Sequence, residues 1–549
     1  MEVKSISKPV TFSSLPRRQV ILTMAGVMLA MFLSSLDQTV VGTAMPRIIA
    51  DLGGFSHYTW VSTAYIITSA VVIPITGKLT DMYGRKPFYI AGVCLFVVSS
   101  LACGFSNTMT QIIIFRGLQG VGAGIMIANA FTVIGDLFSP AERGKYQGFM
   151  SGVFGVSSVI GPSIGGYLTD AISWHWVFFV NIPLGLLIIA LFIKFFPNLR
   201  PDNLKHKIDY SGITLLVVAV VTLLLALSWG DVEFPWASAQ IIGMLIFSIF
   251  MFILFIINEG RAKEPIIPLS LFKNSIVTIS ILATFFAGIG MFGAIIFVPL
   301  YFQGILGASA TASGNLMIPM MLGNVVGGFI SGQVLSRAGG HYRIQGIIGF
   351  ALMAAGAFLL SRMGVNTSYS TAVVSITIFG FGLGVTMPIY TIAVQNAVSY
   401  NLLGVATSVT VFFRPIGGSV GLAILGSIMN NRFASELLSR IPDSFKTAVP
   451  ADTLNSMVHN PQALVSPQAQ SQLQSMLNQM GSQGSVLYGQ IMEGLREALS
   501  SALSEVFLIA TGTVVVALVI SFFLKEIPLR KHQFRDNPAE SNHKPEHIV

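Results

Sequence analysis

Charge is what this chain has least of. Only 10% of its 549 residues are Asp, Glu, Lys or Arg, against about 25% in soluble globular domains. Hydrophobic residues make up 53%, and the mean hydropathy is +0.74. A water-facing surface cannot be built from that composition, which instead describes an all-α polytopic membrane protein. Cysteine is nearly absent. Cys94 and Cys103 fall on one predicted helix, ~13 Å apart along its axis, so they cannot bridge each other and say nothing about redox compartment. His57, His175 and His341 lie at the ends of apolar runs with no second ligand nearby, so no metal site is expected. Tyr83-Gly84-Arg85-Lys86 is not a phosphate-binding loop. No nucleophile–base set stands out. An enzyme, a cofactor and direct use of ATP are therefore not expected. The net charge of +8 would suggest nucleic acid in a soluble chain; here it fits basic loops on the inner face of a membrane.

Long apolar runs are what is abundant. They fall roughly at 20–46, 58–77, 88–106, 109–135, 146–168, 174–196, 209–228, 238–258, 275–300, 312–336, 342–361, 370–394, 404–430 and 501–524. Each suffices to cross a bilayer, which takes ~20 residues as helix. Fourteen crossings put both ends on one side. With that side inside, 23 of the 31 Lys and Arg fall in inner segments and six in outer ones, the remaining two being Arg116 and Arg414 within spans. Basic residues are retained on the cytoplasmic side, so both termini are expected there, in a multi-pass protein of the cell membrane. No cleavable leader is expected at the polar stretch 1–19, because the run after it is too long for one. Residues 431–500 form an outer insert rich in Gln and Ser, read as either a mobile loop or an ordered cap. Its proline-free later part is a helix candidate that runs into the last span. The tail 525–549 is polar.

One acid lies deep in the first run. Placing Asp37 there costs ~3 kcal/mol on insertion scales, so a partner or a function is expected. Arg116 enters the fourth span from the same side, ~10 Å deep against ~13 Å for Asp37. Two such charges either form a permanent ion pair or exchange a proton. The loop Gly77-Lys78-Leu79-Thr80-Asp81-Met82-Tyr83-Gly84-Arg85-Lys86-Pro87 sets Asp81 and Arg85 four apart, close enough to pair, and Asp136 ends the fourth span on the same side. That cluster is either a solvated basic turn or a latch for one conformation. Gln38, Gln119, Asn129, Asn315 and Arg414 are candidates, with Asp37, to line a substrate cavity; Asn129, Asn315, Asn324, Gln395 and Asn396 could equally bridge helices. Arg414, followed by Pro415, has no obvious acidic partner and is also suited to bond carbonyls that the proline frees.

The spacing Gly77…Asp81…Gly84-Arg85-Lys86 resembles the signature loop of the major facilitator superfamily. Arg116-Gly117-Leu118-Gln119-Gly120-Val121-Gly122-Ala123-Gly124 is similar to its fourth-span motif. Gly152-Val153-Phe154-Gly155 with Gly161-Pro162-Ser163-Ile164-Gly165-Gly166 resembles its antiporter motif. Leu36-Asp37-Gln38-Thr39-Val40-Val41-Gly42-Thr43-Ala44-Met45-Pro46, Trp174-His175-Trp176-Val177-Phe178-Phe179-Val180-Asn181-Ile182-Pro183-Leu184-Gly185, Tyr301-Phe302-Gln303-Gly304-Ile305-Leu306-Gly307 and Arg414-Pro415-Ile416-Gly417-Gly418-Ser419-Val420-Gly421 resemble the fourteen-span drug:proton antiporter branch. The resemblance implies the major facilitator fold: six-helix bundles at 20–196 and 273–524, joined through 197–272 by two extra helices. It implies Arg116 in proton transfer. The second-half counterpart of the signature loop carries Ser336 where an acid would sit, which puts a matching latch in doubt.

The expected function is proton-coupled export of hydrophobic, cationic compounds by a monomer, with Asp37 and Arg116 coupling and no nucleic acid involved. Export of lipids with help from 431–500 is the nearest rival. Proton-symport uptake and a non-transporting receptor or scaffold fit less well.

Overall fold

The computed structural model describes residues 15–52, 58–197, 207–308, 310–337, 341–441, 470–471, 474–475 and 482–529. The readings made above for 1–14, His57, most of 431–500 and the tail beyond 529 lie outside the described residues. In chain order the helices are α1 (Arg17–Leu52), α2 (Tyr58–Tyr83), α3 (Arg85–Gly104), α4 (Met109–Leu137), α5 (Pro140–Ala171), α6 (Trp176–Phe179), α7 (Asn181–Phe195), α8 (Tyr210–Trp229), α9 (Ala239–Arg261), α10 (Ser275–Gly304), α11 (Ala310–Arg337), α12 (Tyr342–Ser361), α13 (Tyr369–Ala397), α14 (Leu403–Arg440) and α15 (Ser482–Phe522). With α6 and α7 taken together, fourteen of these segments are long and apolar enough to cross a membrane.

Polar side chains set the helix starts. Thr108 accepts from the Gln111 amide at α4, Asn274 from Ile276 at α10 and Ser368 from Thr371 at α13, each satisfying a first-turn donor. At α5 the Glu142 carboxylate accepts from both Ser139 N and Oγ. Gly84 makes the turn between α2 and α3 at φ 89, where a Cβ would strain the chain. Prolines sit inside α1, α2, α5, α10, α11, α13 and α14, as membrane helices tolerate when neighbours satisfy the freed backbone.

In the first half α1 packs on α5, α7 and α4, while α4 also packs on α2 and α3. In the second half α10 packs on α14 and α15, α13 on α11 and α12, and α12 on α15. The second half has its own apolar cluster, whereas the larger cluster of the first half runs on across the seam into α14 through Val405, Val409 and Phe412. The halves meet along α5–α11, α2–α14, α4–α14 and α5–α13. The pair α8–α9 lies against α2 and α14 through α8. Its ends are tied down by Trp229 on Trp60, ring centroids 5.5 Å apart, by Ser427 Oγ donating to Asp231 at 3.1 Å, and by Lys78–Glu264 at 3.9 Å.

Two helices exceed the expected spans the most. α14 has 38 residues and α15 has 41, about 57 and 62 Å long, against ~30 Å of hydrocarbon. Phe433 and Leu437 of the α14 extension join Ile491, Leu495 and Leu499 of α15 in one apolar cluster. Arg432–Glu505 at 3.2 Å and the Arg440–Glu497 pair tie the extensions together. The ends of the 431–500 stretch are thus an antiparallel helical hairpin.

Candidate functional site

Asp37 is fully buried, at 0% exposure, and Arg116 is at 2%. The structure pairs them through Arg116 Nη1 and Asp37 Oδ2. The other oxygen of Asp37 is taken as well. Gln119 Nε2 donates to Oδ1 at 2.9 Å, and Asn181 Nδ2 donates to the same oxygen at 2.7 Å. Gln119 Oε1 in turn accepts from Arg116 Nη1 at 2.8 Å, which closes a three-residue ring. Gln119 lies one turn beyond Arg116 on α4, so one helix face supplies both groups. Asn181 opens α7 and also reaches Ser100 Oγ at 3.0 Å. The Tyr65 ring lies under the guanidinium, 4.3 Å from Cζ to centroid, and its hydroxyl meets Ser34 Oγ at 3.1 Å. A buried ion pair gains from satisfying its other donors and acceptors, and around this one Arg116 Nε and Asn181 Oδ1 are left without a hydrogen bond. Here α1, α2, α3, α4 and α7 all contribute, so the charge state of Asp37 is coupled to the packing of the first half.

A second cluster lies at the α2–α3 turn, at the end where the halves meet. Arg85 Nε donates to Asp136 Oδ2 at 2.9 Å, Nη1 to Thr80 Oγ1 at 2.6 Å and Nη2 to Asp81 Oδ1. Asp81 also crosses to the second half. Its oxygens accept the backbone N–H of Gly404 at 3.2 Å and of Val405 at 2.9 Å. These are unsatisfied first-turn donors of α14, where a helix favours an anion. Gly77 permits the approach, since a Cβ there would lie 1.9 Å from Ser408 Oγ. Beside it Gln395 of α13 donates to Phe131 O of α4 at 3.1 Å and to Thr407 Oγ1 at 3.2 Å. Farther along the seam α5 and α11 touch backbone to backbone: a Cβ on Gly332 would lie 2.0 Å from Gly144 O.

The α5 glycines divide by partner. A Cβ on Gly161 would be 1.9 Å from Thr39 Oγ1 and one on Gly165 2.2 Å from Thr43 Oγ1, both on α1. Gly152 has only Val325 of α11 nearby, at 3.7 Å, and Gly166 has nothing within 4 Å. Helix α5 continues through Pro162. The remaining candidates are scattered. Gln38 and Asn315 are exposed. Asn129 is buried and donates to Ile125 O at 3.0 Å on its own helix. Arg414 is mostly buried without a hydrogen bond at Nε. Asn396 holds the chain after α15 through Ile527 O and Pro528 O at 3.4 and 3.2 Å. Among the described residues no three His, Cys, Asp or Glu are grouped to hold a metal.

Three members were not singled out from the sequence. Asn181 stands inside the 174–185 motif, where an amide breaking an apolar run is the one sequence signal of its bond to Asp37. Arg143, buried at the start of α5, donates to Phe138 O at 3.0 Å and Gly135 O at 2.6 Å at the end of α4. It was counted only as a loop charge. Tyr65 gave no signal.

Fourteen membrane-length helices in two packed halves, with a sealed ion pair in the first and a charged junction between them, describe a membrane transporter. The chain belongs to the Major Facilitator Superfamily, whose family model matches residues 27–422. It is 41% identical over 526 residues to the multidrug transporter protein MdtP of Bacillus subtilis, covering 94% of this chain and 95% of that one. It is 37% identical over 500 residues to multidrug resistance protein 3 of the same organism, covering 91% and 94%. Among solved structures, the human organic anion transporter MFSD10 superposes with a TM-score of 0.59 over 92% of this chain and 100% of that one, at 12% identity; at that identity the likeness speaks to the fold alone. The protein is a multi-pass membrane transporter and not an enzyme.

Proposed function

We propose that the protein is a proton-coupled antiporter that exports hydrophobic, cationic amphipaths across the cell membrane by alternating access. The bundles would be 20–196 and 273–524, with 197–272 as the inserted linker, both termini cytoplasmic and the monomer as working unit. The supporting observation is the sealed Asp37–Arg116 pair. A proton on Asp37 removes the charge that Arg116, Gln119 and Asn181 converge on, which loosens contacts among five helices at once. A cationic cargo has the same effect by competing with Arg116 for the carboxylate. Proton and cargo then bind in alternation, which is the requirement for exchange. The relatives named as multidrug transporters fit cargo of varied shape. The junction through Asp81 and Gln395 closes one end, as expected of one state in an alternating cycle.

The test is purified protein in vesicles, with a fluorescent cationic dye and an imposed proton gradient. Gradient-driven dye movement that Asp37→Asn abolishes is the expected result; movement unchanged by that substitution would remove Asp37 from coupling. The helical extensions of α14 and α15, longer than a bilayer crossing needs, favour a second reading, export of a lipid-like cargo handed along them. That reading requires transport of a labelled lipid that is lost when the hairpin is shortened.

A further inference from the structure

Arg414 is a mostly buried charge without a counter-charge. Arg116 has Asp37, Arg85 has Asp81 and Asp136, and Arg143 holds two carbonyls. Among the described residues nothing forms a hydrogen bond or ion pair with the Arg414 guanidinium, and its Nε is shut off from solvent. No bond joins it to a carbonyl released by Pro415. Its backbone is nevertheless held firmly: a Cβ on Gly288 of α10 would lie 2.2 Å from Arg414 O, and one on Gly417 would lie 2.0 Å from Phe285 O. The turn that carries the side chain is thus fixed against the α10 segment around Phe285 and Gly288. It shares a helix face with Thr407, two turns and ~10 Å nearer the junction, whose hydroxyl accepts from Gln395 where α4, α13 and α14 meet. The residue remains partly accessible.

We infer that Arg414 is a cargo subsite for an oxyanion, a carboxylate, sulfonate or phosphate carried by an otherwise apolar amphipath. An uncompensated cation at membrane depth is costly, and a guanidinium recognises planar or tetrahedral oxyanions through paired N–H donors. The counter-charge arrives with the cargo and departs with it. This site is separate from the proton site: Arg414 belongs to α14 of the second half, whereas every group that holds Asp37 comes from the first half. The inference rests on the exporter reading and widens its cargo to anionic and zwitterionic amphipaths.

The test compares a carboxylate-bearing fluorescein dye with a cationic rhodamine dye in vesicles under a proton gradient, beside a titration of the fluorescein dye against purified protein. Wild type is expected to bind and move the anionic dye. Arg414→Gln is expected to raise the KM and weaken the binding of that dye by roughly tenfold or more, and to change the cationic dye far less. Arg414→Lys should recover part of the loss. Equal loss for both dyes, or fluorescein binding that ignores the substitution, overturns the inference. Wild type that binds the anionic dye through Arg414 but moves neither dye sinks the exporter reading and leaves the subsite standing.

Discussion

Asp37 and Arg116 compensate each other in a place where either charge alone would be stranded. Removing one partner of a buried pair typically costs about 3–5 kcal/mol, whereas replacing both with neutral groups can be close to neutral. Arg116→Leu should therefore lower the thermal midpoint of the detergent-solubilised protein sharply, and Asp37→Asn/Arg116→Leu should recover most of the loss. If the single and double variants melt together, the pair is not energetically coupled. Depth counting alone was enough to set these two residues level, since an apolar run has a calculable length. Asn181 escaped because its role needs the third dimension: it comes from α7, 144 positions away from Asp37, and no spacing rule links α1 to α7. Arg143 escaped for a related reason. Its partners are main-chain carbonyls at the end of α4, which every sequence has and none displays.

At the scale of elements, the five residues Gly152, Gly161, Pro162, Gly165 and Gly166 read as one motif in the sequence but meet different neighbours in space. Gly161 and Gly165 are set against the hydroxyls of Thr39 and Thr43, while Gly166 faces open space. Gly161→Val should separate α1 from α5 and displace the Asp37-bearing turn, with loss of gradient-driven transport and a lower melting temperature. Gly166→Ala should transport and melt like wild type. Equal behaviour of the two would mean that the α1–α5 contact does not govern the site. Helix number and placement were legible because hydropathy repeats at membrane thickness. The lengths of α14 and α15 were not. A hydropathy scan halts near Arg432 and Glu497, yet Arg432 and Arg440 pair with Glu436, Glu497 and Glu505 across two helices. Charge that ends a run in one dimension is a zipper in three.

At the scale of the whole molecule, one carboxylate joins the halves. Asp81 is held by Arg85 from its own half and caps α14 of the other through Gly404 and Val405. Hydrogen bonds to an ionised group contribute about 1.5–3 kcal/mol, more than most contacts along a seam of glycines. Neutralising Asp81 weakens the cap and the Arg85 bond together, and leaves Arg85 to Asp136 and Thr80. Asp81→Asn should accordingly favour opening at this end while each bundle stays folded. Hydrogen exchange reads this directly: the amides of Gly404 and Val405 should lose roughly tenfold or more of their protection, with those around Asp37 unchanged. Transport should slow, because the state closed at this end becomes harder to regain. Asp81→Glu, which keeps the charge on a longer arm, should fall between. Should Asp81→Asn leave exchange at 404–405 as it was, the junction is maintained by the α5–α11 backbone contact at Gly144 and Gly332, and the charged cluster is only a rigid turn.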